Sequence, residues 1–426
     1  MVTKGTLGAI LKKVFDKPGR VVNAILEAHP VLDMFKRTPG FGGGAAATAA
    51  PYAGGLQMCP IKYARGSGRS ATWANAVANV GNGPRALSFV LDSRDQYGYQ
   101  TVDKHILHSG QTVDESFVQG LEKMVEEDVL GMLGDNIAGD IFGDGFGVLG
   151  WVDATWGGAA VVIPIAGNGI HRFYEGQVLV AAANTGAALC DAGITLTVIA
   201  VDKTTLPGTI TVDGLGGHAQ FGALAGALIP LWAEGDYLGA GADIKISGLA
   251  AWVPYVAPAT GVAFYGVDRY LDIAALAGLR LNRIGFTMSE ALIDTKNEVK
   301  KFTNKPADVL LCSPDRWGQY EKELESHGFY ERSIGKTEAG IGYEYLKCGG
   351  AEVVYDTYCD LDLVYGLTKS TWELYYQGPD LAFLMDDDGS VIMRQPAATG
   401  NDYEIRAASW ANLGCHFPGG NCVTLV

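Results

Sequence analysis

The strongest pattern along the chain is an apolar residue at every fourth position. Phe117, Leu121, Val125, Val129, Leu133, Ile137 and Ile141 keep that step. They follow Thr112 and Glu115, which match a T-x-x-E capping box. The spacing predicts one helix over 113–142, about 30 residues and about 45 Å long. A step of four overshoots the helical turn, so the apolar stripe winds round the axis and meets different neighbours along its length.

The pattern changes on either side. In residues 1–37, Leu7, Ile10, Leu11, Val14, Val21, Val22, Ile25 and Leu26 recur at helical spacing, interrupted at Pro18-Gly19, as in a short amphipathic arm. Residues 38–56 are Gly, Ala and Pro, an extended connector. Within 57–104, strand-like stretches at 61–63 and 86–91 flank a polar middle at 65–69, which reads as a long hairpin with a flexible tip. Residues 145–255 are β-rich, with strands at 177–180, 195–199 and 209–212, and look like a small inserted β-domain. From 270 onward the chain is mixed. A helix is expected over 289–302 and a buried strand over 308–312. A second helix opens with Ser313 as cap and Pro314 in its first position. Further strands are expected at 351–358, 363–367, 390–394 and 403–407.

A length of 426 residues suggests two or three lobes. With 48% hydrophobic and 19% charged residues the composition is globular. The 58 Gly have no three-residue period, which excludes collagen and suits many turns. The seven Cys are odd in number and lack a C-x-x-C pair, so reduced thiols are expected rather than a disulfide framework or zinc site. Residues 1–10 show no apolar signal core. No run of about 18 apolar residues exists, so no membrane span is expected.

The search for chemistry finds little. His105 and His108, with Asp103 nearby, have metal-pair spacing but no second cluster to complete a site. Asp386-Asp387-Asp388-Gly389 lacks the alternating ligands of a calcium loop. Cys312 precedes a helix start, which can activate a thiol, but without a His or Asn partner it reads as a small buried hydrophobe. No hydrolase, zinc-protease or phosphate-loop motif occurs. No catalytic, cofactor or metal residue is assigned, and a structural role is expected.

Charge is more informative. The net charge is −15, unlike a DNA-binding domain, yet it is unevenly spread. In 1–37, Lys4, Lys12, Lys13, Lys17, Arg20, Lys36 and Arg37 oppose three acids, giving +4. In 57–104, Lys62, Arg65, Arg69, Arg85, Arg94 and Lys104 oppose three acids, giving +3. The helix 113–142 has eight acids, among them Glu122, Glu126, Glu127 and Asp128, against Lys123, giving −7. These are either ordinary solvated faces or a basic arm and hairpin that pack over the acidic helix of a neighbouring subunit, where complementary charge fixes register.

The order of elements, with the stretches 194–213, Gly235-Asp236-Tyr237, 246–249, 308–320 and 403–413 through Pro418-Gly419, resembles the major capsid proteins of tailed phages, the Hong Kong 97-type fold. The resemblance implies an α+β subunit. Residues 1–56 would be N-arm and connector, 57–104 the E-loop, and 105–172 a P-domain with spine helix 113–142. An inserted β-domain would span 173–252, an A-domain 253–390, and return strands of the P-domain 391–426. It implies a non-enzymatic protein that forms hexamers and pentamers of an icosahedral head around double-stranded DNA, assembled in the host cytoplasm. The implied partners are other copies of the chain, a separate scaffolding protein, a portal, a cement protein as a further candidate, and DNA held by non-specific contacts. Inter-subunit contact would fall to Lys12, Lys13, Lys17, Arg20, Lys62, Arg65, Arg69, Glu122, Glu126, Glu127 and Asp128. Some relatives cross-link a hairpin Lys to an Asn of another subunit; Lys62 lies in the corresponding region, with no partner Asn identified. Arm and hairpin are expected to bury their apolar sides only on neighbours, with joints at 40–44 and Gly54-Gly55. An encapsulin-like nanocompartment shell shares this fold and is the first rival. A secreted β-rich glycan-active enzyme or adhesin is the second, disfavoured by the lack of a carboxylate pair.

Overall fold

The computed structural model describes residues 29–41, 56–64, 68–79, 85–102, 129–216, 218–237, 239, 243–326, 333–336, 342–378, 382–384, 392–394 and 403–426. In chain order the first elements are helix α1 (Pro30–Met34), strands β1 (Lys36–Pro39) and β2 (Leu56–Ala64), helix α2 (Trp73–Ala78), strands β3 (Arg85–Asp92) and β4 (Arg94–Val102), and helix α3 (Met132–Phe142). Strands β5 (Gly150–Val152), β6 (Val162–Ile165), β7 (Val178–Ala181), β8 (Leu196–Asp202), β9 (Gly208–Val212) and β10 (Ile229–Ala233) follow. After the short pair β11 (Ala263–Phe264) and β12 (Val267–Asp268) come β13 (Leu279–Asn282), α4 (Met288–Thr303), β14 (Val309–Cys312), α5 (Pro314–Ser326), β15 (Ser333–Lys336), β16 (Gly342–Cys348), β17 (Ala351–Tyr355) and β18 (Leu363–Leu367). The last are β19 (Trp372–Tyr376), β20 (Ala382–Phe383), β21 (Ile392–Arg394), β22 (Tyr403–Cys415) and β23 (Cys422–Leu425). Among the described residues no helix is long and apolar enough to cross a membrane.

A six-stranded sheet is organised on β22, whose 13 residues run well past the expected 403–407. β4 pairs antiparallel along 403–411, and β19 antiparallel along 411–415. β1 extends the sheet in parallel beside β19. β22 is rich in small residues because both its faces are covered near its C-terminal end, where 411–415 are buried. At Gly414 a Cβ would lie 2.6 Å from the Tyr375 ring and 3.0 Å from Leu91. α3 packs on this sheet with Leu133, Ile137 and Ile141 buried, on the four-residue step read from the sequence. A π turn over 129–131 precedes it; residues 112–128 of the expected helix, with its capping box, lie outside the described residues.

β2 and β3 form the expected hairpin, from Leu56 opposite Asp92 to Ala64 opposite Arg85. Its apolar side is not left for a neighbour. Cys59, Ile61, Phe89 and Leu91 are buried, and Phe89 meets Trp252 edge-on at 5.0 Å. Nor is the end of the expected arm free. Val31, Leu32, Phe35 and Phe41 join the same core. The expectation that these segments bury their apolar sides only on neighbours is therefore corrected for 29–41 and for the hairpin base. Each carries closely spaced large apolar residues, and the chain's own sheet provides the nearest cover.

The stretch expected to be an inserted β-domain contributes to a closed barrel in the order β10-β5-β6-β9-β8-β7. It draws in β5 and β6 from before the expected limit of 173. Three residues in β5, and Pro164 within β6, are too little to show alternation. The barrel has its own core, with Ile163, Phe173, Leu196 and Ile210 fully covered.

The third unit is a seven-stranded sheet, β13-β23-β18-β14-β17-β16-β15. β14 is central and wholly buried, and α4 and α5 pack beside it. Thr287 and Glu290 form a reciprocal capping box at the start of α4, and Glu323 of α5 accepts from the Met288 and Ser289 amides at 2.9 and 2.7 Å. Three strands lie across the expected boundaries. β4 belongs to the six-stranded sheet rather than to the hairpin, since Gln96 and Gly98 face inward while Tyr97 and Tyr99 face out. β19, expected in the A-domain, also joins that sheet, and β23 sits inside the seven-stranded sheet between β13 and β18.

Where the chain returns from the barrel it crosses the end of α3 so closely that a Cβ on Gly248 would lie 2.2 Å from the Ile141 carbonyl oxygen and 2.3 Å from that of Asp140. Neither backbone can yield. Gly248→Ala is expected to cost about 3 kcal/mol or more, read as a fall in thermal unfolding temperature; an unchanged melting curve would contradict the crossing.

Candidate assembly surfaces

The interface residues expected from the sequence fall mostly beyond the described residues. Lys12, Lys13, Lys17, Arg20, Arg65, Glu122, Glu126, Glu127 and Asp128 lie outside them, as do His105, His108 and 386–388. Two are described. Lys62 is exposed on the outer face of β2, opposite Ala86, because alternation turns its neighbours Cys59 and Ile61 inward. Arg69 is exposed on the approach to α2. Arg85, opposite Ala64 at the start of β3, adds a third exposed cation.

Between the hairpin strands sits a feature that the sequence reading missed. α2 has six residues and none is buried. Trp73 is 85% exposed, and Val77, one turn later, is 55% exposed. A helix this short gains little from its own hydrogen bonds, and a large exposed indole is uncommon on a surface without a partner. A single Trp in a stretch otherwise made mostly of Gly, Ala, Asn and other small or polar residues was the available signal.

Behind the hairpin, buried polar groups join the units. Asn412 of β22 is fully buried. Its amide nitrogen donates to the Asp92 carbonyl at 2.8 Å and to the Tyr265 hydroxyl at 2.8 Å. Its oxygen accepts from the Ser247 amide at 3.2 Å. The hairpin base, the chain returning from the barrel and the β11–β12 turn thus converge on one side chain. A second knot lies on α3. Asp140 accepts from Gln96 of β4 at 2.7 Å and from Arg172, in the 3-10 turn Gly167–Arg172 of the barrel, at 2.5 Å. Arg172 also donates to the Val148 carbonyl at 3.0 Å. A buried pair of this kind fixes geometry more than it adds stability.

Among the described residues there is no group of three or more His, Cys, Asp or Glu able to hold a metal ion. All seven cysteines are unpaired and buried. Burial pushes the Cys312 thiol up to about 12, despite Arg316 nearby, and does the same to Cys59 and Cys422. Such thiols are protonated and inert. Iodoacetamide near neutral pH should leave them unlabelled until denaturant is added; rapid labelling of the native chain, read by mass spectrometry, would contradict this burial.

No protein-family model matches the chain, and no curated protein matches it in sequence. Solved structures do match. The cyanophage A-1(L) capsid asymmetric unit aligns over 93% of this chain and 92% of its own, with TM-score 0.50 and 11% identity. The capsid of an empty GTA particle aligns over 94% and 89% with TM-score 0.42 and 9% identity. A virus-like particle from Pyrococcus furiosus aligns over 95% of both chains with TM-score 0.39 and 9% identity. At 11% identity the likeness to the cyanophage capsid is one of fold, and by it the chain has a mixed α+β fold that resembles phage capsids of the Hong Kong 97-like type.

Proposed function

We propose that the chain is the major capsid protein of a tailed phage, a non-enzymatic subunit that assembles into hexamers and pentamers of an icosahedral head around double-stranded DNA. The observation that carries this reading is a capsid fold matched over nearly the whole of both chains. The hairpin supports it. Its base is anchored in the chain's own core, while Trp73, Val77, Lys62 and Arg69 are exposed on and between its strands. In this reading Trp73 is the anchor that enters a neighbouring subunit, as large aromatic residues do at interface centres. Lys62, Arg65 and Arg69, with Lys12, Lys13, Lys17 and Arg20 of the arm, meet the acidic row Glu122, Glu126, Glu127 and Asp128 and set register. The net charge of −15 limits adhesion to packaged DNA, leaving phosphate contact to the arm. A separate scaffolding protein and a portal complete the assembly, with a cement protein as an optional addition.

The test is expression of the chain with and without its scaffolding partner, followed by negative-stain electron microscopy. Closed shells or hexameric rings are expected; a monodisperse monomer under both conditions would refute the proposal. Trp73→Ser should lower particle yield at least about tenfold while shifting subunit stability by only about 0.5 kcal/mol, as surface substitutions do. Charge reversal at Lys12, Lys13 and Lys17 should likewise reduce shells more than it reduces folded subunit. Undiminished particle yield in both variants would remove these residues from the interface.

A further inference from the structure

His29 stands where four stretches of chain meet. It directly precedes α1. Its Nε2 lies 3.0 Å from Asp135 of α3, and its Nδ1 lies 3.7 Å from Asp356, just after β17. Its ring stacks on Tyr358 at 5.1 Å between centroids. Beyond Tyr358 comes Arg172 of the barrel, itself paired with Asp140 of α3.

Both ring nitrogens face carboxylate oxygens. A neutral imidazole donates from one nitrogen only and would turn a lone pair toward the other carboxylate, so the geometry is that of an imidazolium. The two carboxylates differ in setting. The Asp356 side chain is 2% exposed and that of Asp135 56% exposed. Without a cation beside it, Asp356 would be a buried charge lacking its counter-ion. Its other oxygen accepts from the Tyr358 amide at 2.9 Å.

The segment that His29 begins is held to the sheet at its margin. β1 contributes a four-residue parallel ladder to β19 and an ion pair, Lys36 to Glu373 at 3.0 Å. Val31, Leu32 and Phe35 are buried beneath it.

We infer that His29 is a charge-dependent pin: as an imidazolium it ties residues 29–41 to α3 and to the loop after β17 at once, and as a neutral ring it releases that segment. The pin belongs to the folded chain and operates whether or not the chain assembles. Burial alone would discharge the ring, but the hydrogen bond to Asp135, the close approach of Asp356 and the charge of both outweigh it and raise the pKa from 6.5 to about 9. Because the folded-state value lies above the unfolded one, the pin holds fully below about 6.5 and is lost as pH climbs through about 9. Among the described residues, a further charge next to the stacked Tyr358 is Arg172. Burial, followed by the charge of Asp135, pushes the Tyr358 phenol up to about 12, outside this window.

The test is limited trypsin digestion of the full chain, scored by mass spectrometry at the Arg37–Thr38 bond, with far-ultraviolet circular dichroism recorded at each pH. The wild type should resist cutting there near pH 7 and become susceptible near pH 10 with its dichroism unchanged, the rate rising on the order of 100-fold across the window. His29→Gln, polar but never charged, should be cut at both pH values. Asp135→Asn, at a largely exposed carboxylate, should remain folded and lower the pH of half-maximal cutting, a shift that a purely packing role for His29 would not produce. A flat wild-type profile between about pH 6 and 10, cutting that appears only with loss of the dichroism signal, or a His29→Gln chain as resistant as the wild type near pH 7 would each overturn the pin.

Discussion

The arrangement of the units rests on one buried amide. Asn412 has no solvent to return to, so each of its hydrogen bonds must be made within the chain. It makes them to three segments far apart in sequence: the hairpin base at Asp92, the barrel return at Ser247 and the tyrosine at 265. An apolar residue there would leave the Asp92 carbonyl and the Ser247 amide without those partners. The hairpin's direction, the barrel's exit and the register of β22 are therefore determined together. Trp252 reinforces the same point by donating to the Leu413 carbonyl at 2.9 Å while Phe89 and Phe264 pack against its ring.

What could be read from the sequence was local order with strong periodicity or explicit caps. The step through Leu133, Ile137 and Ile141, the Ser313-Pro314 helix start and the apolar run 309–312 all correspond to elements of the structure. The elements that went unread owe their conformation to partners. β19 and β1 are short and mixed in composition, and they are strands because β22 lies alongside. β5 is three residues long and exists because a barrel needs closing. Domain limits suffered for the same reason, since β23 and β19 each join the sheet that a linear division of the chain would deny them.

The candidate surfaces show the converse. Exposure of Lys62 followed directly from strand alternation. That of Trp73 did not, because a lone aromatic gives no periodicity and the default for tryptophan is burial. His29 was equally unmarked. Its meaning lies in two carboxylates more than a hundred positions away, which only folding brings to the ring.

The position of β23 also bears on how the chain is made. It lies between β13 and β18, both synthesised earlier, and it pairs with each along four residues. During translation those two strands emerge with a gap between them, and among the described strands of the seven-stranded sheet β13 has no pairing partner until Cys422–Leu425 has cleared the ribosome. The nascent chain is thereby kept from completing this sheet early, and a subunit acquires its finished surface only once these residues are in place.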